Sequence, residues 1–207
     1  GQPLSEVTTL TGSTTTTTAY SYDSMRNLVS TVTQSGGTDP RTYSQRYDTQ
    51  RRLTSELSGD GNVVLAALGG SPTQTQIDNT YRDYGWTYAY DSGNRLISKT
   101  GPQGAASAGP KTLYYYNADG ALIYEIDSLG QVAEYRYDAF GARTDTIVYA
   151  NPITNLASMA GGLDISLVTA RLTTSSATDS ILHADFDVDG NVKQSSDALS
   201  NVSTYSY

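Results

Sequence analysis

Three acids at alternate positions, Asp185, Asp187 and Asp189, stand just before Gly190 and form the set in this chain best suited to hold an ion. The run Asp185-Phe186-Asp187-Val188-Asp189-Gly190-Asn191 matches the front of a calcium loop, where alternate carboxylates and a glycine wrap a hard cation. Such a loop closes with an acid eleven residues after its first, a spacing taken from the family of calcium loops. Here that position is Ser196, and Asp197 comes one place late. A second reading makes Asp189-Gly190 the tip of a hairpin. The spacings below favour that reading, so neither a metal nor any other cofactor is expected.

His183 is the only histidine, and cysteine is absent. No serine sits in a nucleophile-elbow context, so no nucleophile, base and acid can be assembled. A lone histidine beside a strand reads as surface or packing. Glu125 and Asp127 share one strand face and could imitate a glycosidase pair, but strand alternation places acids this way routinely. Arg26, Arg51, Arg52 and Arg95 follow turns and are expected to pair with nearby acids on a solvated face. The chain reads as a non-enzyme.

What must position these residues is a train of short strands. Tyr115 to Tyr137 runs Y-Y-N-A-D-G-A-L-I-Y-E-I-D-S-L-G-Q-V-A-E-Y-R-Y and continues into Asp138-Ala139-Phe140-Gly141. Its turn glycines Gly120, Gly130 and Gly141 recur at the interval of antiparallel strands joined by tight turns. The pattern aromatic-Asp-x-x-Gly-x-Leu returns at Tyr22-Asp23, Tyr47-Asp48, Tyr90-Asp91, Tyr116-Asn117 and Tyr137-Asp138. Tyr116, Asn117, Gly120, Asp127, Tyr135 and Tyr137 also map onto Phe186, Asp187, Gly190, Asp197, Tyr205 and Tyr207, each pair 70 apart by subtraction. These are internal repeats, and they make Asp187 a repeat aspartate and Gly190 a turn glycine.

Each position has a physical task. Tyrosines at i and i+2 leave one strand face and can form cross-strand ladders. The aspartate can accept backbone N–H groups two residues on. The glycine supplies positive φ, and the leucine starts the return strand, pointing inward. Where the glycine is replaced by Arg26, Arg51 or Asn94, Asn27 and Asn94 offer the commonest alternative for a left-handed residue. Such degeneracy suits a structural repeat rather than a catalytic array.

These motifs resemble the tyrosine-aspartate repeats of the Rhs family of bacterial polymorphic toxins, shared with the cocoon subunits of insecticidal Tc toxins and with the shell of animal teneurins. The resemblance extends over nearly the whole chain. It implies an all-β fold of antiparallel hairpins within one spiralling sheet that closes as a hollow shell, with a C-terminal toxin held inside. It also implies a bacterial protein that is secreted or at the cell surface. The family's shell-closing segment, which ends in an Asp-Pro-x-Gly-Leu-like motif, is not found here, nor is a toxin domain. Residues 1–207 are therefore expected to be a piece of shell wall whose partners are the rest of the shell and its encapsulated cargo. An alternative is an extracellular adhesin or filament that presents tyrosine-rich strands to surface glycans.

Composition agrees with a thin, half-wet sheet. Tyrosine numbers 17 against two phenylalanines and one tryptophan, and the apolar fraction is 37%. A net charge of −8 opposes nucleic acid or an anionic membrane as partner. No apolar run approaches the roughly 20 residues a spanning helix needs, so no membrane insertion is expected. The N-terminus, Gly1 to Ser5, shows no signal segment, and Tyr205-Ser206-Tyr207 reads as the start of another unit.

Insertions are expected at about 64–85 and 146–180. Ser13 and the threonines 14–18 suit a strand or a flexible linker, and because they lead straight into Tyr20 and Tyr22 the strand is favoured. Gly59-Asp60-Gly61-Asn62 reads as a hairpin turn before an apolar run, 69–80 as a polar loop, and 101–110 as a long hairpin loop. Ile153, Leu156, Ala157 and Ala160 predict a short helix over about 152–160, capped by Asn151-Pro152 and stopped at Gly161-Gly162. Residues 163–172 suit helix and strand equally.

Overall fold

The computed structural model describes residues 2–9, 15–36, 38–104 and 109–207. Ser13, Thr14 and the middle of the 101–110 loop, like Gly1, lie outside them. Among the described residues the chain forms one open antiparallel sheet in which spatial order equals sequence order. Its strands are β1 (Ser5–Thr9), β2 (Thr15–Tyr22), β3 (Leu28–Ser35), β4 (Thr38–Tyr47), β5 (Leu53–Leu57), β6 (Gly85–Tyr90) and β7 (Leu96–Thr100). They continue as β8 (Lys111–Tyr116), β9 (Leu122–Ile126), β10 (Val132–Tyr137), β11 (Arg143–Val148), β12 (Ser180–Phe186), β13 (Val192–Ser196) and β14 (Val202–Thr204). Tight turns keep most consecutive strands adjacent, which is why the topology is so plain.

The chain divides into two compact units. The first comprises Gly1–Ala89 and Lys99–Pro110; the second comprises Tyr90–Ser98 and Lys111–Tyr207. In the first, β2 alternates exposed and half-buried residues along its whole length, with Tyr20 and Tyr22 on the same side. Two helices connect β5 to β6: α1 (Gly59–Ala67) and α2 (Gln74–Tyr84).

These helices correct the expectation of a hairpin turn at 59–62 and, from Gln74 onward, that of a loop over 69–80. Gly61 is buried where a Cβ would collide with the Leu57 side chain, so it serves close packing rather than a turn. Asn62 is occupied as well. Its amide donates to the carbonyls of Thr42, Leu57 and Ser58, each at 3.0 Å, and accepts from Ser44 Oγ at 2.7 Å. α2 starts with a capping box in which Thr73 and Gln76 satisfy each other's backbone N–H. Its Ile77, Thr80 and Tyr81 share a helical face, and Thr80 and Tyr81 are buried.

The second unit holds the larger core. Leu113, Tyr115, Tyr124, Ile126, Val132, Ile147 and Tyr149 form a buried layer on one sheet face. Residues 149–179 cross that layer as a strap, adding Ile153, Met159 and Val168 to the core. The sheet is therefore dry on this face, more so than the tyrosine content suggests.

The strap contains less helix than expected. A 3₁₀ turn, Leu156–Ser158, follows Asn155, whose left-handed conformation (φ 59°) starts the helix afresh and removes the capping role from Asn151-Pro152. A single α-helical turn, α3 (Ser166–Thr169), resolves the ambiguity at 163–172. Gly161 and Gly162, expected as a helix stop, instead lie against the sheet. Gly162 exchanges backbone hydrogen bonds at 2.9 Å with Tyr114 and Tyr116. A Cβ on Gly161 would overlap the Ile97 carbonyl oxygen.

Candidate functional site

The feature that recurs through the molecule is the turn led by Asp23, Asp48, Asp91, Asn117, Asp127, Asp138, Asp187 and Asp197. In each, the leading residue's N–H donates to the carbonyl four residues on, and its carbonyl accepts from the N–H three residues on. The third residue after the leader has positive φ: Arg26, Arg51, Asn94, Gly120, Gly130, Gly141, Gly190 and Ser200. That is a type I turn closed by a left-handed residue. Arg26 takes the left-handed place rather than Asn27, which is buried.

The aspartates do more than cap the residue two places on. In seven of these turns Oδ1 accepts backbone N–H groups from both the second and the fourth residue beyond, at 2.8–3.0 Å. Asn117 makes the second of these bonds, to Ala121. Where the fourth residue is Asn or Arg, its side chain donates to Oδ2, as Asn27, Arg52, Arg95, Asn191 and Asn201 do. The leading hydrogen bonds from the backbone of Asn27, Arg52, Arg95 and Asn191 hold Asp23, Asp48, Asp91 and Asp187 below the usual carboxylate range. The Asn201 side chain is the largest cause for Asp197. The sequence signal for this lock is Asp followed four places later by Asn or Arg.

A one-residue bulge lies beside the aromatic that precedes five of these turns, at Tyr22, Tyr47, Tyr116, Tyr137 and Phe186. Bulges of this kind sharpen local twist and re-aim side chains. Tyr116 then donates its hydroxyl to the Leu96 carbonyl at 2.7 Å, and Tyr137 donates to the Leu122 carbonyl at 3.0 Å. Each acceptor is the leucine that starts the preceding return strand, so repeats are stitched hydroxyl to backbone. In the first unit Arg51 Nε reaches Asn27 Oδ1 at 2.9 Å, joining adjacent turns.

Carboxylates receive several other phenols. Glu56 accepts from Tyr43 and, at 2.6 Å, from Tyr88. Glu125 accepts from Tyr135 at 3.1 Å, and burial together with that carboxylate pushes the Tyr135 phenol up to about 12. On the core face the buried Glu134 accepts from Tyr149. Lys99 covers Trp86, its ammonium 4.2 Å from the ring centroid.

The residues singled out for chemistry do not converge. Asp187 is committed to its turn, Asp185 is hydrogen-bonded to His183, and Asp189 is exposed at the hairpin tip. Among the described residues no group of three or more histidines and acids could hold a metal ion. Glu125 serves Tyr135 while Asp127 leads a turn, so they do not face one substrate. Arg52 and Arg95 pair with Asp48 and Asp91 at 2.7 Å. His183 is the surprise: both ring nitrogens meet carboxylates. Asp145 contacts it from the neighbouring strand β11 and Asp185 from its own strand β12.

No protein-family model and no curated protein matches the chain. Among solved structures it is similar to the Photorhabdus luminescens Tc holotoxin pore, at 11% identity and a TM-score of 0.43, over 93% of this chain and 11% of that one. It is also similar to the TcdB2-TccC3-Cdc42 crystal structure, at 12% identity and a TM-score of 0.33, over 93% and 11% of the two chains. TcdB2-TccC3 without its hypervariable C-terminal region gives 11% identity and a TM-score of 0.33, over 95% and 11%. The chain thus spans only 11% of the length of these structures.

Proposed function

We propose that this chain is a non-enzymatic wall segment of an Rhs-type toxin shell, secreted or displayed by a bacterium, that helps to enclose and deliver an effector domain. The observation that carries the reading is the repeated turn itself. One turn geometry recurs from Asp23 to Asp197, with the aspartate lock in seven of its eight copies, in a sheet whose strands follow sequence order. Such a sheet grows by adding hairpins and has no built-in end. Its edge strands β1 and β14 keep unpaired backbone groups that further repeats would satisfy. The mechanism is mechanical: a continuous hydrogen-bonded wall keeps cargo from solvent and from premature contact with its target.

The test is the intact mass and C-terminal sequence of the polypeptide as the producing cell makes it, followed by protease challenge. Further repeats leading to an unrelated terminal domain, protected until the wall is opened, are expected. A polypeptide that repeats onward without cargo would sink the encapsulation reading and favour the filament or adhesin, which a glycan array then examines.

A further inference from the structure

One strand pair in the second unit is closed differently from its neighbours. β8–β9, β9–β10, β10–β11, β12–β13 and β13–β14 are each joined by one of the repeated turns. β11 and β12 are separated by the whole 149–179 strap. A long connection closes a strand pair less tightly than a short turn, because the entropic cost of closure grows with its length. The pair is held by its backbone ladder, by Asp179 accepting the Ala150 N–H at 2.9 Å, and by the side chains that lie across it.

His183 stands there. It lies opposite Asp145 in the β11–β12 register, with Nδ1 2.7 Å from Asp145 Oδ1. Its Nε2 is 3.2 Å from Oδ1 of Asp185, two residues along β12. Ionised carboxylates only accept hydrogen bonds, so both ring nitrogens must donate, and the ring that makes both bonds is the imidazolium. We infer that His183 is a proton-operated latch on the β11–β12 junction, tying the root of the strap when charged and freeing one carboxylate when neutral.

The surroundings favour the charged ring. Thr144 Oγ1 donates to Asp145 Oδ2 at 2.9 Å, which keeps that carboxylate an acceptor. Arg136 lies opposite Asp145 on β10 and is itself paired with Glu134 at 2.6 Å. On β13 the residues opposite His183 and Asp185 are Ser196 and Gln194, both uncharged. Asp179, at the strap's return, is engaged with the backbone N–H groups of Ala150 and Ser175. The hydrogen bond to Asp145 raises the His183 pKa against the lowering effect of burial, and Asp185 adds to the rise. Burial pushes Asp145 upward, but the bonds from His183 and Thr144 and the charges of His183 and Arg136 hold it below its ordinary value.

The signs define a window. A raised histidine pKa gives stability fully present below the unfolded value of about 6.5 and lost as pH climbs through the folded one. A depressed carboxylate gives stability present above about 3.9 and lost as pH falls through its folded value. The latch is therefore tightest in mildly acidic solution and loosens toward alkaline pH.

Because His183 is the only histidine, its ring protons can be followed by NMR without assignment. The titration midpoint is expected above about 6.5, to fall in Asp145→Asn and to fall less in Asp185→Asn. Hydrogen-exchange protection of β11, β12 and the strap, relative to β8–β10, is expected to drop several-fold from about pH 6 to about pH 9 and to show no such step in His183→Gln. A midpoint at or below the ordinary value, or the same protection profile in His183→Gln, overturns the latch. If Asp145→Asn impairs folding, Asp185→Asn at the more exposed end supplies the same reading.

Discussion

The Tyr137 hydroxyl donates to the Leu122 carbonyl at 3.0 Å, so the aromatic that closes one hairpin is fastened to the leucine that reopened the hairpin before it. Tyr116 does the same to Leu96. The repeat therefore carries its own staple between units as well as its own turn.

Removing that staple should cost stability without changing the fold. Tyr137→Phe keeps the ring and leaves the carbonyl short of one donor, a loss of about 1 kcal/mol. Urea denaturation at constant m-value checks it. No change in midpoint would mean that water replaces the hydroxyl freely.

Tyr115→Phe should move the other way. Tyr115 is fully buried, and its hydroxyl has no hydrogen-bond partner among the described residues. Deleting an unpaired buried hydroxyl relieves a desolvation cost, so the variant is expected to be neutral or more stable by up to about 1 kcal/mol. Destabilisation in the same urea assay would show that the hydroxyl has a partner after all, for example an internal water.

The strap depends on a close approach at one turn. Ile153 donates its N–H to the Gly130 carbonyl at 2.8 Å, and a Cβ on Gly130 would overlap the Ile153 carbonyl oxygen. Gly141 has nearly the same φ, 86° against 84°, but open space around it. Gly141→Ala should cost about 1 kcal/mol from left-handed strain alone. Gly130→Ala should cost on the order of 3 kcal/mol and expose the strap to limited proteolysis. Equal costs for the two would refute the close-approach argument.

Acid should attack the turns together. The carboxylates of Asp23, Asp48, Asp91, Asp187 and Asp197 are held below their ordinary range, so their contribution is present above about pH 4 and fades as pH falls through the folded values. Melting temperature should decline below about pH 4. Asp48→Asn with Asp187→Asn, which keeps an Oδ1 acceptor as Asn117 does naturally, should flatten that decline while lowering stability at neutral pH. An unchanged acid limb in the double variant would place the acid sensitivity elsewhere.

The sequence by itself determined the local grammar of this protein. The aromatic-Asp-x-x-Gly-x-Leu spacing specified most of the strands, turns and left-handed positions, because a hairpin is settled by four or five consecutive residues and their φ preferences. At Arg26 the residue type misled, pointing to Asn27 instead. The helices at 59–67 and 74–84 were harder to read, since Gly61 and Asn62 also spell a turn. What decided between helix and turn was the packing of Gly61 on Leu57 and the reach of Asn62 to Thr42 and Ser44, partners distant in the chain. Even so, the capping box Thr73–Gln76 was a legible start signal. Only the tertiary structure decided which face became dry, because strand alternation offers Tyr114 and Tyr115 equally to both sides until the strap covers one. It also decided the surroundings of His183. Asp145 is 38 residues away, and no periodicity links two strands whose pairing is set across a long crossover.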